Sequence, residues 1–328
     1  MTETFLVTGS LGCIGAWTLR NLVDEGVHVI ASDVSSDRSR PSLLLSDDEL
    51  NDAITWLKLD VTDLAAVRTA VEVNGVTNII HLAGLQVPFC KANPSLGAAV
   101  NVVGTVNVFE AARHANITNL VYASSIAVMG PASAYPDRPI ADDVTLDPST
   151  LYGVYKVANE QAAKVFWNDW QIPSVGLRPY TVYGVCRDQG VTADVAKAVL
   201  AAAANRAFHI RFSGLQSLQH ANDVARIFIA ASRSGHNGAA VCNLRNTVMD
   251  VADVVKLVTS QVPGAKITFE TDTELPFPAD LDDSLLQEIL GTVPHTPIAD
   301  AQSQSWRRFI LLSLTYLSKL DDCFRQLA

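Results

Sequence analysis

Residues 4–15 read Thr-Phe-Leu-Val-Thr-Gly-Ser-Leu-Gly-Cys-Ile-Gly, and a helical pattern follows from Ala16 to Glu25. Residues 4–8 form a short, largely apolar run stopped by a glycine turn, which is how a buried strand reads. In the helical pattern Trp17, Leu19, Leu22 and Val23 are apolar, while Arg20, Asp24 and Glu25 are polar. The three glycines have separate physical reasons. Gly9 allows a tight turn, Gly12 lets backbone approach a pyrophosphate, and Gly15 lets the helix pack close to the sheet. Phosphates then meet the helix N-terminus, where unpaired N–H groups and the helix dipole favour negative charge. Strand, glycine turn and helix in this order match the entry to a dinucleotide-binding βαβ unit.

The next strand, Val27 to Ala31, ends in Ser32-Asp33. A carboxylate there accepts hydrogen bonds from the adenosine ribose and repels a 2′-phosphate, so NAD is favoured over NADP. Arg38 and Arg40 lie close by and weaken that preference slightly. Alternation continues. Residues 34–53 suggest a loop and a short helix, 55–59 a strand, 64–73 a helix and 78–82 a strand. Then come a long helix over 95–115, a strand over 119–124, a second long helix within 148–170 and a strand over 174–178. Such alternation predicts an α/β fold, a Rossmann-type doubly wound parallel sheet covered on both faces. The reading assigns 1–180 to NAD binding, with segments near 215–245 returning to it. Residues 181–328 form mainly a smaller, mixed substrate-binding part, with Pro-rich turns at 276–278 and 294–297.

The 328 residues are 48% hydrophobic and 18% charged, which suits a globular chain with an ample core. A net charge of −10 argues against nucleic acid or an anionic membrane as partner. Cys13, Cys90, Cys186, Cys242 and Cys323 are scattered, without a C-x-x-C, so a reducing cytoplasm is expected and no metal site. Met1 leads directly into the first strand, leaving no room for a signal peptide. Phe309 to Leu317 is too short for a bilayer span and reads as a packed helix.

Two stretches carry chemistry. Val121 to Gly130 is a strand ending in the paired hydroxyls Ser124 and Ser125. Tyr152 and Lys156 are four apart, so a helix places them on one face. A phenol titrates near 10. A neighbouring ammonium and a positive nicotinamide ring lower that value and let Tyr152 take a proton from an alcohol. Ser125 orients the same hydroxyl, and Lys156 also bonds the nicotinamide ribose.

With these motifs in order, the chain resembles the extended short-chain dehydrogenase/reductase family, the NAD-dependent epimerase/dehydratase group. The resemblance rests on residues 8–15, Asp33, Asp60-Val61, His81-Leu82-Ala83-Gly84, Asn101, Ser124-Ser125, Tyr152 and Lys156. It extends to Leu177-Arg178-Pro179, Val182-Tyr183-Gly184, residues 222–225 and the late segment 285–294. It implies that Gly9, Leu11, Gly12, Cys13, Ile14 and Gly15 hold the cofactor phosphates. Asp60 and Val61 contact the adenine, and Leu82, Ala83 and Gly84 the adenosine side. Pro179 to Val182 line the carboxamide, and Ser124 assists at the nicotinamide. Helices 95–115 and 150–170 pair with their mates in a homodimer. His81 and Asn101 read better as structural groups.

Departures from the family narrow the substrate. Ser125-Ile126-Ala127 stands where 4,6-dehydratases carry Thr-Asp-Glu, so no group is evident to expel water. Thr181 and Gln216 stand where sugar-nucleotide epimerases carry Asn and Arg. A diphosphate is best met by a bidentate cation, and glutamine is neutral. Arg211 or Arg187 could compensate from a shifted position. The candidates to line the pocket are Gln86, Ser125, Tyr180, Thr181, Arg187, Gln189, Arg211 and His220. The reading is an NAD-dependent oxidoreductase acting on a secondary alcohol of a sugar, sugar acid or related polyol. The first alternative is a sugar or nucleotide-sugar epimerase without net redox change. The second is a catalytically silent NAD sensor.

Overall fold

The computed structural model describes residues 3–298. Strand β1 (Thr4–Thr8) is wholly buried and leads through the glycine turn into helix α1 (Cys13–Asp24). The helix begins three residues earlier than its apolar pattern implies, because Gly12 serves as its N-cap. β2 (His28–Asp33), α2 (Asp47–Asp52), β3 (Ile54–Lys58), α3 (Leu64–Val73) and β4 (Asn78–His81) follow. Next are α4 (Val87–Ala92), α5 (Pro94–Ala98), α6 (Gly104–His114), β5 (Asn119–Ala123), α7 (Leu151–Trp170) and β6 (Ser174–Arg178).

The chain then builds β7 (Thr181–Tyr183), α8 (Asp194–Ala203), β8 (Phe208–Ile210), β9 (Leu215–His220) and α9 (Ala221–Arg233). β10 (Ala239–Asn243), β11 (Thr247–Asp250), α10 (Val251–Gln261), β12 (Ile267–Phe269) and α11 (Ser284–Leu290) complete the described part. The helix expected over 309–317 lies outside the described residues, as does Cys323.

Seven parallel strands form the main sheet in the order β10-β6-β5-β4-β1-β2-β3. Such a sheet needs both faces covered. One face packs Leu19 and Leu22 of α1 and Val224, Ile227 and Phe228 of α9 against Phe5, Val7, Val121 and Leu177. The other packs Val67 and Val71 of α3, Val108 and Phe109 of α6 and Phe166 of α7 against Leu6, Ile79 and Tyr122. The smaller sheets, β11-β9-β7 and β12-β8, share a third core with α8 and α10. Strand order reverses between β1 and β4, and ligands bind such sheets outside the carboxyl ends at that point.

The helix expected over 95–115 is present over Pro94–His114, with a π turn inside it. α5 and α6 are joined by a π turn over Ala99–Val103. One extra residue in that turn keeps Asn101 buried. Its amide donates to Gly97 O at 2.9 Å and Leu85 O at 3.1 Å. The run Pro94–His114 is long and apolar enough to cross a bilayer by length and composition, and half of it is buried inside this molecule.

Candidate active site

α7 carries Tyr152 and Lys156, the candidate reactive side chains. Thr150 caps its N-terminus by accepting a hydrogen bond from Gly153 N at 3.1 Å. A Cβ on Gly153 would run into Ala127 O, so glycine lets the helix lie against the turn after β5. That approach sets Tyr152 beside Ser125. Ser125 Oγ also accepts from Ala127 N at 3.1 Å.

Lys156 is 3% exposed, and its Nζ donates to Ala123 O at 2.7 Å. It sits 5.6 Å from the centroid of the Tyr152 ring. Burial pulls the ammonium down to about 8, with Cys90 and Glu160 opposing that fall. The Tyr152 phenol behaves differently from the sequence expectation. Burial pushes it up from its ordinary value, and the Ser125 hydrogen bond and the Arg187 guanidinium pull it back. Because Lys156 is turned to Ala123 O, the cation that lowers the phenol here is Arg187. The nicotinamide ring adds its positive charge when NAD is bound.

Lys156 yields a stability prediction. Its folded value, about 8, lies below the ordinary 10.5. Between those two pH values the unfolded chain binds more protons, so stability rises with pH there. The gain is about 3 kcal/mol in all, at about 1.4 kcal/mol per pH unit. Denaturant midpoints taken at pH 7.5 and 9.5 should show wild type gaining on Lys156→Met. An equal change in both proteins refutes the assignment.

The cofactor groove lies at the N-terminus of α1, where Gly12 offers no side-chain cap. A Cβ on Gly15 would meet Gly9 O and Ser10, so this corner admits only bare backbone. Leu11 N donates to Asp33 Oδ2 at 3.2 Å, and Ser35 N to Asp33 Oδ1 at 3.1 Å. Asp60 Oδ1 accepts from Thr62 N and Oγ1 at 2.9 and 2.8 Å, beside the buried Val61. Leu82 N donates to Thr8 O, and Ala83 N to Thr8 Oγ1. Gly84 faces Asn101 Oδ1 and Lys156 Nζ. The open helix end, the bare corner and the carboxylates fit a dinucleotide. Of the two nearby arginines, Arg40 pairs with Asp188, while Arg38 lies over Trp56 at 4.2 Å.

A strap over 184–190 lies beside this groove. Val185 O accepts from Trp17 Nε1 at 3.0 Å and from Cys13 Sγ at 3.8 Å. Cys186 Sγ donates to Arg40 O at 3.3 Å, and Arg40 Nη1 donates to Leu11 O at 3.0 Å. Burial pushes the Cys13 thiol up to about 12, so it is no nucleophile.

The substrate candidates separate. Arg187 faces Tyr152, donates to Thr192 Oγ1 at 3.0 Å and keeps a buried, unpaired Nε. Gln86 Oε1, also buried and unpaired, is next to it at Gly190. Gln189 is exposed on the same strap. Thr181 Oγ1 donates to Gln216 Oε1 at 2.9 Å, both buried. Tyr180 is buried, with its hydroxyl donating to Phe277 O at 3.3 Å. Arg211 is engaged twice by Asp194, at 2.8 and 2.9 Å. His220 lies between Trp17 and Tyr183 with Nδ1 unpaired. Pro179 O accepts from Ile126 N at 3.1 Å, and Val182 is in the core.

Ser124 points away from Tyr152. Its hydroxyl donates to Glu160 Oε1 at 2.5 Å. Glu160 is a residue the motif reading passed over, although Tyr152, Lys156 and Glu160 repeat every four residues. His81 is a core histidine bonded to Thr8 at 2.7 Å and Thr105 at 3.1 Å, and burial drops it to about 3. Among the described residues no His, Cys, Asp and Glu cluster suits a metal ion.

The model of the NAD dependent epimerase/dehydratase family matches residues 5–244. The chain belongs to that family. It is an NAD-dependent enzyme of the extended short-chain dehydrogenase/reductase type, with NAD as its cofactor. It is 29% identical over 308 residues to the UDP-glucose 4-epimerase of Mycolicibacterium smegmatis, covering 90% of this chain and 95% of that protein. It is 32% identical over 183 residues to UDP-glucuronate 4-epimerase 3 of Arabidopsis thaliana, covering 55% of this chain and 42% of that one. Several other curated relatives are matched over about half their length. A monomeric L-threonine 3-dehydrogenase from a metagenome shares the fold with a TM-score of 0.81 and 22% identity, over 95% of this chain and 99% of that one. Proteins of this fold thus include both epimerases and dehydrogenases.

Proposed function

We propose that the protein oxidises a secondary alcohol of a small, acidic polyol, a sugar acid in the first instance, with NAD. The observation that carries this is Arg187, a guanidinium with an enclosed, unpaired Nε, near enough to the Tyr152 phenol for its charge to lower it. A fixed donor fork beside the base suits a carboxylate near the reacting carbon. Arg211, held by Asp194, and Gln216, held by Thr181, supply no free cation for a diphosphate.

NAD supplies the hydride acceptor. Ser125 holds the substrate hydroxyl, and Tyr152 takes its proton as hydride leaves the same carbon. Arg187 supplies the positive charge that lowers the phenol.

The test is NADH absorbance on incubation with NAD and a panel of neutral sugars, uronic acids and aldonic acids. Acids should turn over, and Arg187→Gln should raise their KM by about 30-fold or more, as loss of a buried charged hydrogen bond costs at least 2 kcal/mol. Oxidation of neutral sugars alone refutes the acidic substrate.

A second reading, epimerisation, is favoured by the near full-length match to the M. smegmatis enzyme. It predicts tightly held NAD, no NADH build-up and a product differing at one stereocentre.

The same face of the molecule supports a homodimer. Leu96 and Val103 are 48% exposed and Val154 is 46% exposed, on the packed helices α5 and α7 and the π turn between α5 and α6. Sedimentation at the mass of one copy would remove that part of the reading. The unpaired Cys13, Cys90, Cys186 and Cys242 support a reducing compartment.

A further inference from the structure

Behind the reactive face lies a buried ionic network that the chemistry above leaves unused. Glu160 is 1% exposed and stands one helical turn beyond Lys156. Its carboxylate accepts from Arg178 Nε at 2.8 Å, from Arg178 Nη2 at 2.8 Å and from Ser124 Oγ at 2.5 Å. Arg178 is itself fixed, donating to Asp142 O at 2.8 Å and Asn243 Oδ1 at 3.2 Å. Ser124 N donates to Leu177 O at 2.7 Å. Thus one carboxylate is tied to α7, β6 and the end of β5 together.

The tied stretch holds the reactive pair. Ala123 accepts the Lys156 hydrogen bond, Ser124 bonds Glu160, and Ser125 stands beside Tyr152. A slip of this three-residue stretch would therefore displace both partners. Charge points the same way. The groups facing Lys156 are Tyr152 and Glu160 on α7, Cys90 on α4 and His81 on β4. His81 is neutral in its core site, so Glu160 is the carboxylate set against the ammonium. Arg178, Ser124 and Tyr122 face Glu160 from the sheet.

We propose that Glu160 is a positioning residue for Lys156: clamped by Arg178 and Ser124, it is the buried counter-charge against which the ammonium is set. A buried acid persists only when its oxygens are satisfied. Here three hydrogen bonds satisfy them.

The test follows the Lys156 ammonium by lysine-labelled NMR across pH, with the signal assigned by its loss in Lys156→Met. No substrate is needed, so the outcome is independent of the substrate reading. Glu160→Gln keeps shape and removes charge, and should lower the Lys156 midpoint by about one pH unit. Glu160→Asp should restore most of it. Arg178→Gln leaves the buried acid without its partner, so the acid takes up a proton and the midpoint should fall there too. It serves alone if Glu160→Gln does not fold. A fall in the midpoint that Glu160→Asp largely reverses supports a counter-charge. An unmoved or raised midpoint overturns it.

Discussion

Tyr152→Phe should fold, bind NAD as wild type does, and lose about three orders of magnitude in turnover. General-base help is worth about two to four orders of magnitude. Tyr152 is the phenol that stands beside Ser125. The phenyl ring keeps the packing, since what is lost is one hydroxyl. NAD uptake by calorimetry and NADH formation separate binding from chemistry. Undiminished turnover with intact binding would remove the phenol from the mechanism. At Ser125→Ala the loss should be smaller, because the phenol remains.

Gly15→Val should abolish detectable NAD binding, a loss of at least about a hundredfold. The first added carbon meets Gly9 O and lies 2.7 Å from Ser10 Cα and Ser10 O. None of these is the free end of a side chain, so either the turn or α1 must move. Overpacking of this kind costs about 1–3 kcal/mol in stability. The larger effect is local, because the N–H groups at the start of α1 lose their aim. Calorimetry with NAD and a thermal melt read the two parts separately. Wild-type affinity in a folded Gly15→Val protein would place the dinucleotide elsewhere.

The parts of this molecule that were legible in its sequence are those whose cause is local. β1, the glycine turn and α1 follow from an apolar run, three glycines and an amphipathic helix within 25 residues. α7 follows from its length and from Tyr152 and Lys156 at helical spacing. The π turn at 99–103 was hidden, because an extra residue in one turn barely alters an apolar pattern. The electrostatics of Tyr152 were hidden for another reason. Spacing puts Lys156 on the right face but does not say that its Nζ turns to Ala123 O. Nor does it bring Arg187, 35 positions on, to the phenol. Glu160 and Arg178 are 18 apart and sit on different elements, so their pairing belongs to the tertiary fold.

The strap over 184–190 has a consequence for kinetics. Gly184 and Gly190 bound it, both at positive φ, 128° and 97°, where the backbone bends without side-chain hindrance. Between them the Arg40–Asp188 ion pair is only partly shielded from water. Dissolved ions weaken such a pair far more than they weaken the packed sheet below. Rising ionic strength is therefore expected to weaken this tie of the strap before it weakens the sheet.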